Sequence, residues 1–270
     1  MRLGAPVMDG VSTPEEWIAY HQKYGYRAAY SPIHNVDELE SKKDFIKAAE
    51  EYDIVIAEIG AWSNPMSLDA EIRKKALEHC KTQLFIADES NTKCCVNIAG
   101  NLGDPWDSHS ARNFTKEAFD LVVDTTRDII DSVKPKRTYY TLEMMPWMYP
   151  YDEDSYLELI RAIDRPQFAV HIDIINVINS PQRYYSTGAI IKNTFAKLGK
   201  HIKSVHVKDI IMSQNLTVHL DETMPGKGNF DLKCLIEEVR KLDENIPLML
   251  EHLGTKEEYI EAGEYIKSLF

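Results

Sequence analysis

At 270 residues the chain is close to the roughly 250 of one eight-fold β/α barrel, although length alone also allows two smaller domains. A hydrophobic fraction of 44% supplies a sizeable core and excludes a disordered chain, and no run approaches the roughly 20 apolar residues of a membrane span. With 31 basic against 43 acidic residues the net charge is −12, which excludes a nucleic-acid partner and leaves cations and small molecules.

The N-terminus, Met1-Arg2-Leu3-Gly4, reads as the start of a strand and lacks the apolar run and cleavage site of a signal peptide, so a cytoplasmic protein is expected. Short apolar segments then alternate with longer amphipathic ones. Strands are expected at 2–7, 26–31, 53–60, 93–99, 138–145, 168–174, 202–209 and 247–252. Helices are expected near 14–24, 36–50, 67–87, 115–134, 153–163, 186–199, 230–242 and 255–268. Thr13-Pro14-Glu15-Glu16 reads as a capping box with proline at the first helical position, and Thr255-Lys256-Glu257-Glu258 repeats the box before the last helix. Between them Ala118, Val122, Thr125, Ile129 and Val133 recur at helical spacing. Eight strand–helix units in strict alternation predict a parallel sheet with helices outside. Eight units in this length favour closure, so the expected class is α/β, a single (β/α)8 TIM barrel domain over residues 1–270. The four cysteines, 80, 94, 95 and 234, suit neither a disulfide framework nor a CxxC metal site and read as reduced core thiols.

In such a barrel side chains alternate between interior and helix layer, and chemistry sits at the C-terminal strand ends. In the fifth segment Tyr139, Thr141 and Glu143 share a face. In the sixth, His171 and Asp173 lie opposite Val170, Ile172 and Ile174. In the seventh, Ser204, His206 and Lys208 face inward against the outward Val205 and Val207. In the eighth, Leu248 and Leu250 face outward and leave Glu251 inward. Four consecutive strands thus end in Glu143, Asp173, His206 and Glu251. Any one of these alone is more often a salt-bridge partner. Together, three converging buried carboxylates would repel one another, each at several kcal/mol, and a divalent cation relieves both problems. The donor set suits one Mn²⁺ or Mg²⁺, with Co²⁺ or Zn²⁺ also allowed.

The ordered pieces Thr141-Leu142-Glu143, His171-Ile172-Asp173-Ile174-Ile175-Asn176, Ser204-Val205-His206-Val207-Lys208-Asp209, Pro225-Gly226-Lys227-Gly228-Asn229-Phe230-Asp231 and Leu248-Met249-Leu250-Glu251 resemble the xylose-isomerase-like barrels, in their sugar (phosphate) isomerase/epimerase branch. The resemblance implies that Glu143, Asp173, His206 and Glu251 ligate the metal and that Glu143 and Glu251 also act as catalytic acid and base. It implies a sugar as small-molecule substrate and, by analogy only, a homo-oligomer. That branch commonly places a histidine three residues after the aspartate and an arginine shortly after the histidine. Asn176 stands at the first place, and no arginine follows His206 closely. The related nucleases of this fold carry many more histidines and bind DNA, unlike this acidic chain.

Candidate substrate contacts are Trp62, Asn97, His171, Asn176 and Lys208. Trp62 follows the third strand and offers an apolar platform for a sugar ring, or ordinary loop packing. Asn97 is in phase with Cys95 and Ala99 and reads as a hydrogen-bond donor to a substrate hydroxyl or as a satisfied core amide. Glu58, in phase with Ile54 and Ile56, is expected to point into the mouth. Trp106 and Trp147 are expected to wall the pocket. Gly226-Lys227-Gly228 before a helix could cradle phosphate, but a lone GxG is weak, and a tight loop is the better explanation. The functional expectation is a metal-dependent sugar or keto-sugar isomerase or epimerase working through a cis-enediolate. A lyase acting on 3-keto-glycosides from the same start, or a non-catalytic sugar-binding barrel, stays open.

Overall fold

Each of the eight apolar segments forms a strand in the computed structural model, which describes residues 1–270. In chain order the strands are β1 (Arg2–Gly4), β2 (Ala28–Tyr30), β3 (Val55–Gly60), β4 (Cys94–Asn97), β5 (Tyr139–Glu143), β6 (Phe168–Ile172), β7 (Ile202–Val207), β8 (Asp209–Ser213), β9 (His219–Thr223) and β10 (Pro247–Leu250). All but β8 and β9 close into a parallel barrel in the order β1-β10-β7-β6-β5-β4-β3-β2. Strands in such a sheet are covered on both faces, which is why all five residues of β6 and all four of β10 are buried.

The outer layer holds α1 (Pro14–Tyr24), α2 (Glu38–Ser41), α3 (Lys43–Glu51), α4 (Ala70–Glu89), α5 (Lys116–Val133), α6 (Glu153–Ile163), α7 (Pro181–Tyr184), α8 (Thr187–Leu198), α9 (Leu232–Val239) and α10 (Lys256–Ser268). Both capping boxes form, with the Thr13 and Thr255 hydroxyls accepting from the N–H groups of Glu16 and Glu258. Ala118, Val122, Thr125 and Ile129 of α5 turn inward, as the helical spacing predicts, while Val133 is only half-buried. The four cysteines are buried and unpaired. No helix is long and apolar enough to cross a membrane.

The structure departs from the sequence pattern in three places. The strands are shorter than expected, so Asp173 and Glu251 stand just beyond β6 and β10, on the mouth rather than in the ladder. The helix expected over 36–50 divides at Lys42 into α2 and α3, and the one expected over 186–199 is preceded by the short α7. The expected strand 202–209 ends at Val207, and the chain leaves the barrel as an antiparallel hairpin, β8 against β9, with Asp209 opposite Thr223.

Asp209 is the physical reason for that exit. Its Oδ1 accepts from the N–H groups of Ile210 and Phe230, and its Oδ2 from those of Gly226 and Gly228. The glycine turn is thereby drawn so close that a Cβ at Gly228 would lie 2.3 Å from both Asp209 Oδ1 and the Ile210 carbonyl. Its amides are spent on Asp209 and are not free to cradle phosphate. Asp209→Ala is expected to lower the unfolding free energy in urea by about 3 kcal/mol, because water replaces these charge-assisted bonds only in part. A loss below about 1 kcal/mol would show that the loop holds without them.

Candidate metal centre at the barrel mouth

Parallel register sets the strand ends side by side. Glu143 is level with His171 across β5 and β6, and His206 is level with Met249 across β7 and β10. One step further along lie Asp173 and Glu251. Glu143, Asp173, His206 and Glu251 each offer a ligand atom, and these four atoms all lie within 4.8 Å of one another. Donors around a cation bound at roughly 2.0–2.4 Å are separated by at most about 4.8 Å, so the spacing suits one shared ion.

The cluster is crowded with charge. His206 Nδ1 lies 2.8 Å from Glu251 Oε1 and 3.8 Å from Glu143 Oε1. The Lys208 ammonium, only 2% exposed, lies 2.6 Å from Asp173 Oδ2 and 2.8 Å from each of Glu251 Oε1 and Glu222 Oε1. Close as they are, several contacts are poorly aligned: Asp173 Oδ2, Glu251 Oε1 and His206 Nδ1 are buried without a well-directed hydrogen bond. Buried polar atoms are normally satisfied, and three orphans converging on one point could be satisfied by another cation. The donors present, three carboxylates and an imidazole, fit a divalent metal.

The electrostatics agree. Burial and the neighbouring carboxylates push the Asp173 carboxyl up to about 7, against the opposing pull of Lys208. Burial likewise pushes Glu251 up, but His206 and Lys208 outweigh it and hold that carboxyl well below its ordinary value. Burial favours a neutral His206, yet Glu251 and Glu58 raise its pKa well above the ordinary histidine value. His171 goes the other way, to about 4, through burial and the repulsion of His206.

The remaining sequence candidates divide. Asn176 joins the cluster: its Nδ2 donates to Glu143 Oε1 at 2.9 Å, and its Oδ1 lies 3.4 Å from Lys208 Nζ. Trp62 is 45% exposed and lines a recess at the mouth with Tyr30, His34 and Glu58. Trp147 Nε1 donates to the Asp107 carbonyl and ties the loops after β5 and β4 together. Two substrate candidates are enclosed. Asn97 is fully buried, its Oδ1 accepting from Ser63 N at 3.2 Å and its Nδ2 donating to Ser63 O and Cys80 Sγ, because the loop after β3 folds over it. His171 is also fully buried, edge-on against the His206 ring.

Sequence reasoning missed Glu222 and His252. Glu222 reaches the cluster only because the hairpin folds back, and no pattern in the polar stretch His219–Thr223 announces that. His252, at φ 57°, bonds Glu222 Oε2 through Nδ1 at 2.8 Å. Its signal was its place directly after Glu251. A cleft of about 570 Å³ runs along the loops after β1 and β2, past Asp9, Tyr30 and His34, and none of the four clustered donors lines it.

Residues 18–269 match a family model described as a xylose isomerase-like TIM barrel. No curated protein matches the sequence. Among solved structures the chain is similar to the probable 3-DHS dehydratase involved in petrobactin synthesis from Bacillus anthracis, with 18% identity, a TM-score of 0.75, and 100% of this chain and 98% of that one covered. It is similar to the 3-keto-D-glucoside 4-epimerase from E. coli, with 13% identity, a TM-score of 0.71 and 99% of each chain covered. It also resembles a xylose isomerase-like TIM barrel protein from Mycobacterium smegmatis in complex with magnesium, with 14% identity, a TM-score of 0.69, and 99% and 95% covered. At these identities the likeness is one of fold.

Calorimetric affinity for Mn²⁺ is expected to rise from about pH 6 to about pH 8, because a proton on Asp173 competes with the cation and is lost across that range. An affinity that is flat or falls over the same range would contradict the cluster as the binding site.

Proposed function

The chain belongs to the xylose isomerase-like TIM barrel family, and on that premise we propose that it is a divalent-metal-dependent isomerase or epimerase of a sugar or keto-sugar. The observation that carries the reading is the placing of two carboxylates, Glu143 at the end of β5 and Glu251 just after β10, with the ends of β6 and β7 between them. A cation held by Glu143, Asp173, His206 and Glu251 would supply Lewis-acid polarisation of a substrate carbonyl and balance the charge that develops on it.

Everything else falls to the side chains. One of Glu143 and Glu251 takes the proton from the carbon next to the carbonyl, giving a cis-enediolate, and the other returns it. Return to the opposite face of the same carbon is epimerisation; return to the neighbouring carbon is isomerisation. Glu251 is ionised at neutral pH, as a base must be. Asn176 holds Glu143 in place through its 2.9 Å hydrogen bond. Lys208 offers a donor to a substrate oxygen once Asp173 and Glu251 engage the cation. Trp62 provides a flat apolar wall for the sugar ring.

Elimination from a 3-keto sugar begins with the same proton abstraction, and His252 favours it as a second reading. Its bond to Glu222 raises its pKa, so the imidazole beside Glu251 keeps its proton to higher pH than a free histidine and is placed to pass it to a leaving oxygen. Identification of the product separates the two: an epimer or isomer retains every oxygen, and elimination loses one.

With Mn²⁺, Mg²⁺ or Co²⁺ present, deuterium from D₂O is expected at a carbon next to the carbonyl of a free, phosphorylated or 3-keto sugar. Glu251→Gln is expected to lower that exchange by about 10²–10⁴-fold, the usual cost of removing a general base. No exchange across such a panel would overturn the reading and leave a sugar-binding barrel.

A further inference from the structure

His206 shows two different neighbourhoods to its two ring nitrogens. Nδ1 faces Glu251 and Glu143, whereas Nε2 lies 3.0 Å from Oε1 of Glu58, on the opposite side of the ring. Glu58 stands on β3, across the barrel from β7, and is 4% exposed. Its second oxygen is held too: Ser204 Oγ donates to Oε2 at 3.2 Å, and His171 Nδ1 lies 3.6 Å away. The His171 ring packs edge-on against that of His206, with centroids 4.0 Å apart and planes at 82°. Ring and carboxylate are therefore fixed in relation to each other from three sides.

A neutral imidazole has one lone pair, and the nitrogen that carries it is settled by where the remaining proton is held. A carboxylate at one nitrogen keeps the proton there, turns the other nitrogen into the donor and makes it more basic. A fully buried glutamate with no exposed partner is otherwise costly to keep in a barrel interior.

We propose that Glu58 is a positioning residue whose carboxylate holds the proton on His206 Nε2 and so presents Nδ1 to the cation position formed with Glu143, Asp173 and Glu251. The proposal rests on the metal-centre reading above and deepens it: the site has a fifth essential side chain that does not touch the ion. Glu58, His171 and His206 Nε2 also lie close enough to hold an ion of their own. That arrangement would strip Nε2 of its proton and is excluded by the proposal.

Protein labelled with ¹⁵N-histidine and loaded with diamagnetic Zn²⁺ reads the tautomer directly through long-range ¹H–¹⁵N correlations. His206 is expected to show a protonated Nε2 and a coordinated Nδ1, and this measurement needs no variant. A coordinated Nε2, or two ions per chain, overturns the proposal. In calorimetry Glu58→Gln is expected to bind Mn²⁺ about 10–100-fold more weakly, the usual cost of losing such a partner. Ser204→Ala, which leaves the carboxylate but frees one oxygen, is expected to weaken binding in the same direction by less. Wild type that binds with Glu58→Gln unchanged overturns this inference alone. Wild type that binds no divalent cation overturns the metal-centre reading, and the inference falls with it.

Discussion

Glu143, Asp173 and Glu251 bring three carboxylates to one buried point, and Glu58 adds a fourth beneath them. Burial of an unpaired carboxylate costs several kcal/mol, so such a group persists only where positive charge is supplied. The chain supplies part of it from His206 and Lys208. The lysine approaches Asp173 and Glu251 closely, yet buried oxygens stay without well-directed bonds. Lys208 is a counter-ion of the cluster. A divalent cation held by the four donors would satisfy them and leave the ammonium its contact with Glu222.

The surrounding fold serves that constraint. The barrel sets four strand ends in register, which one helix or one loop could not do at this precision. Asp209 turns the chain outward directly after Lys208 and so brings Glu222 back over the mouth on the hairpin. Asn176 and His252 then tie Glu143 and Glu222 into the same network. The centre is layered: Glu58, Ser204 and His171 in the interior, the four donors above, and Lys208, Glu222 and His252 at the rim.

Much of this was legible from sequence, for a definite reason. Interior-facing positions in a barrel strand recur with period two, so Glu143, His206 and Glu251 announced their direction by the apolar residues beside them. Alternation and caps placed the eight units, and α1 and α6 fell on their expected bounds. Direction, however, does not give depth. Asn97 and His171 also face inward, but Asn97 bonds the loop folded over it and His171 packs on the His206 ring. The hairpin was illegible because β9 is exposed and polar and shows no buried face. The turn that follows it is held by hydrogen bonds to Asp209 from residues up to Phe230, a long-range arrangement that no local pattern encodes.

The central claim is that one cation binds where the four strand ends meet. Anomalous diffraction from a crystal soaked in Mn²⁺ tests it without reference to any substrate. The account predicts a single strong peak at roughly 2.0–2.4 Å from carboxylate oxygens of Glu143, Asp173 and Glu251 and from Nδ1 of His206, with Lys208 Nζ displaced from Asp173. A peak between Glu58 and His171, or no peak at the mouth while Lys208 keeps its contacts with Asp173 and Glu251, would contradict it.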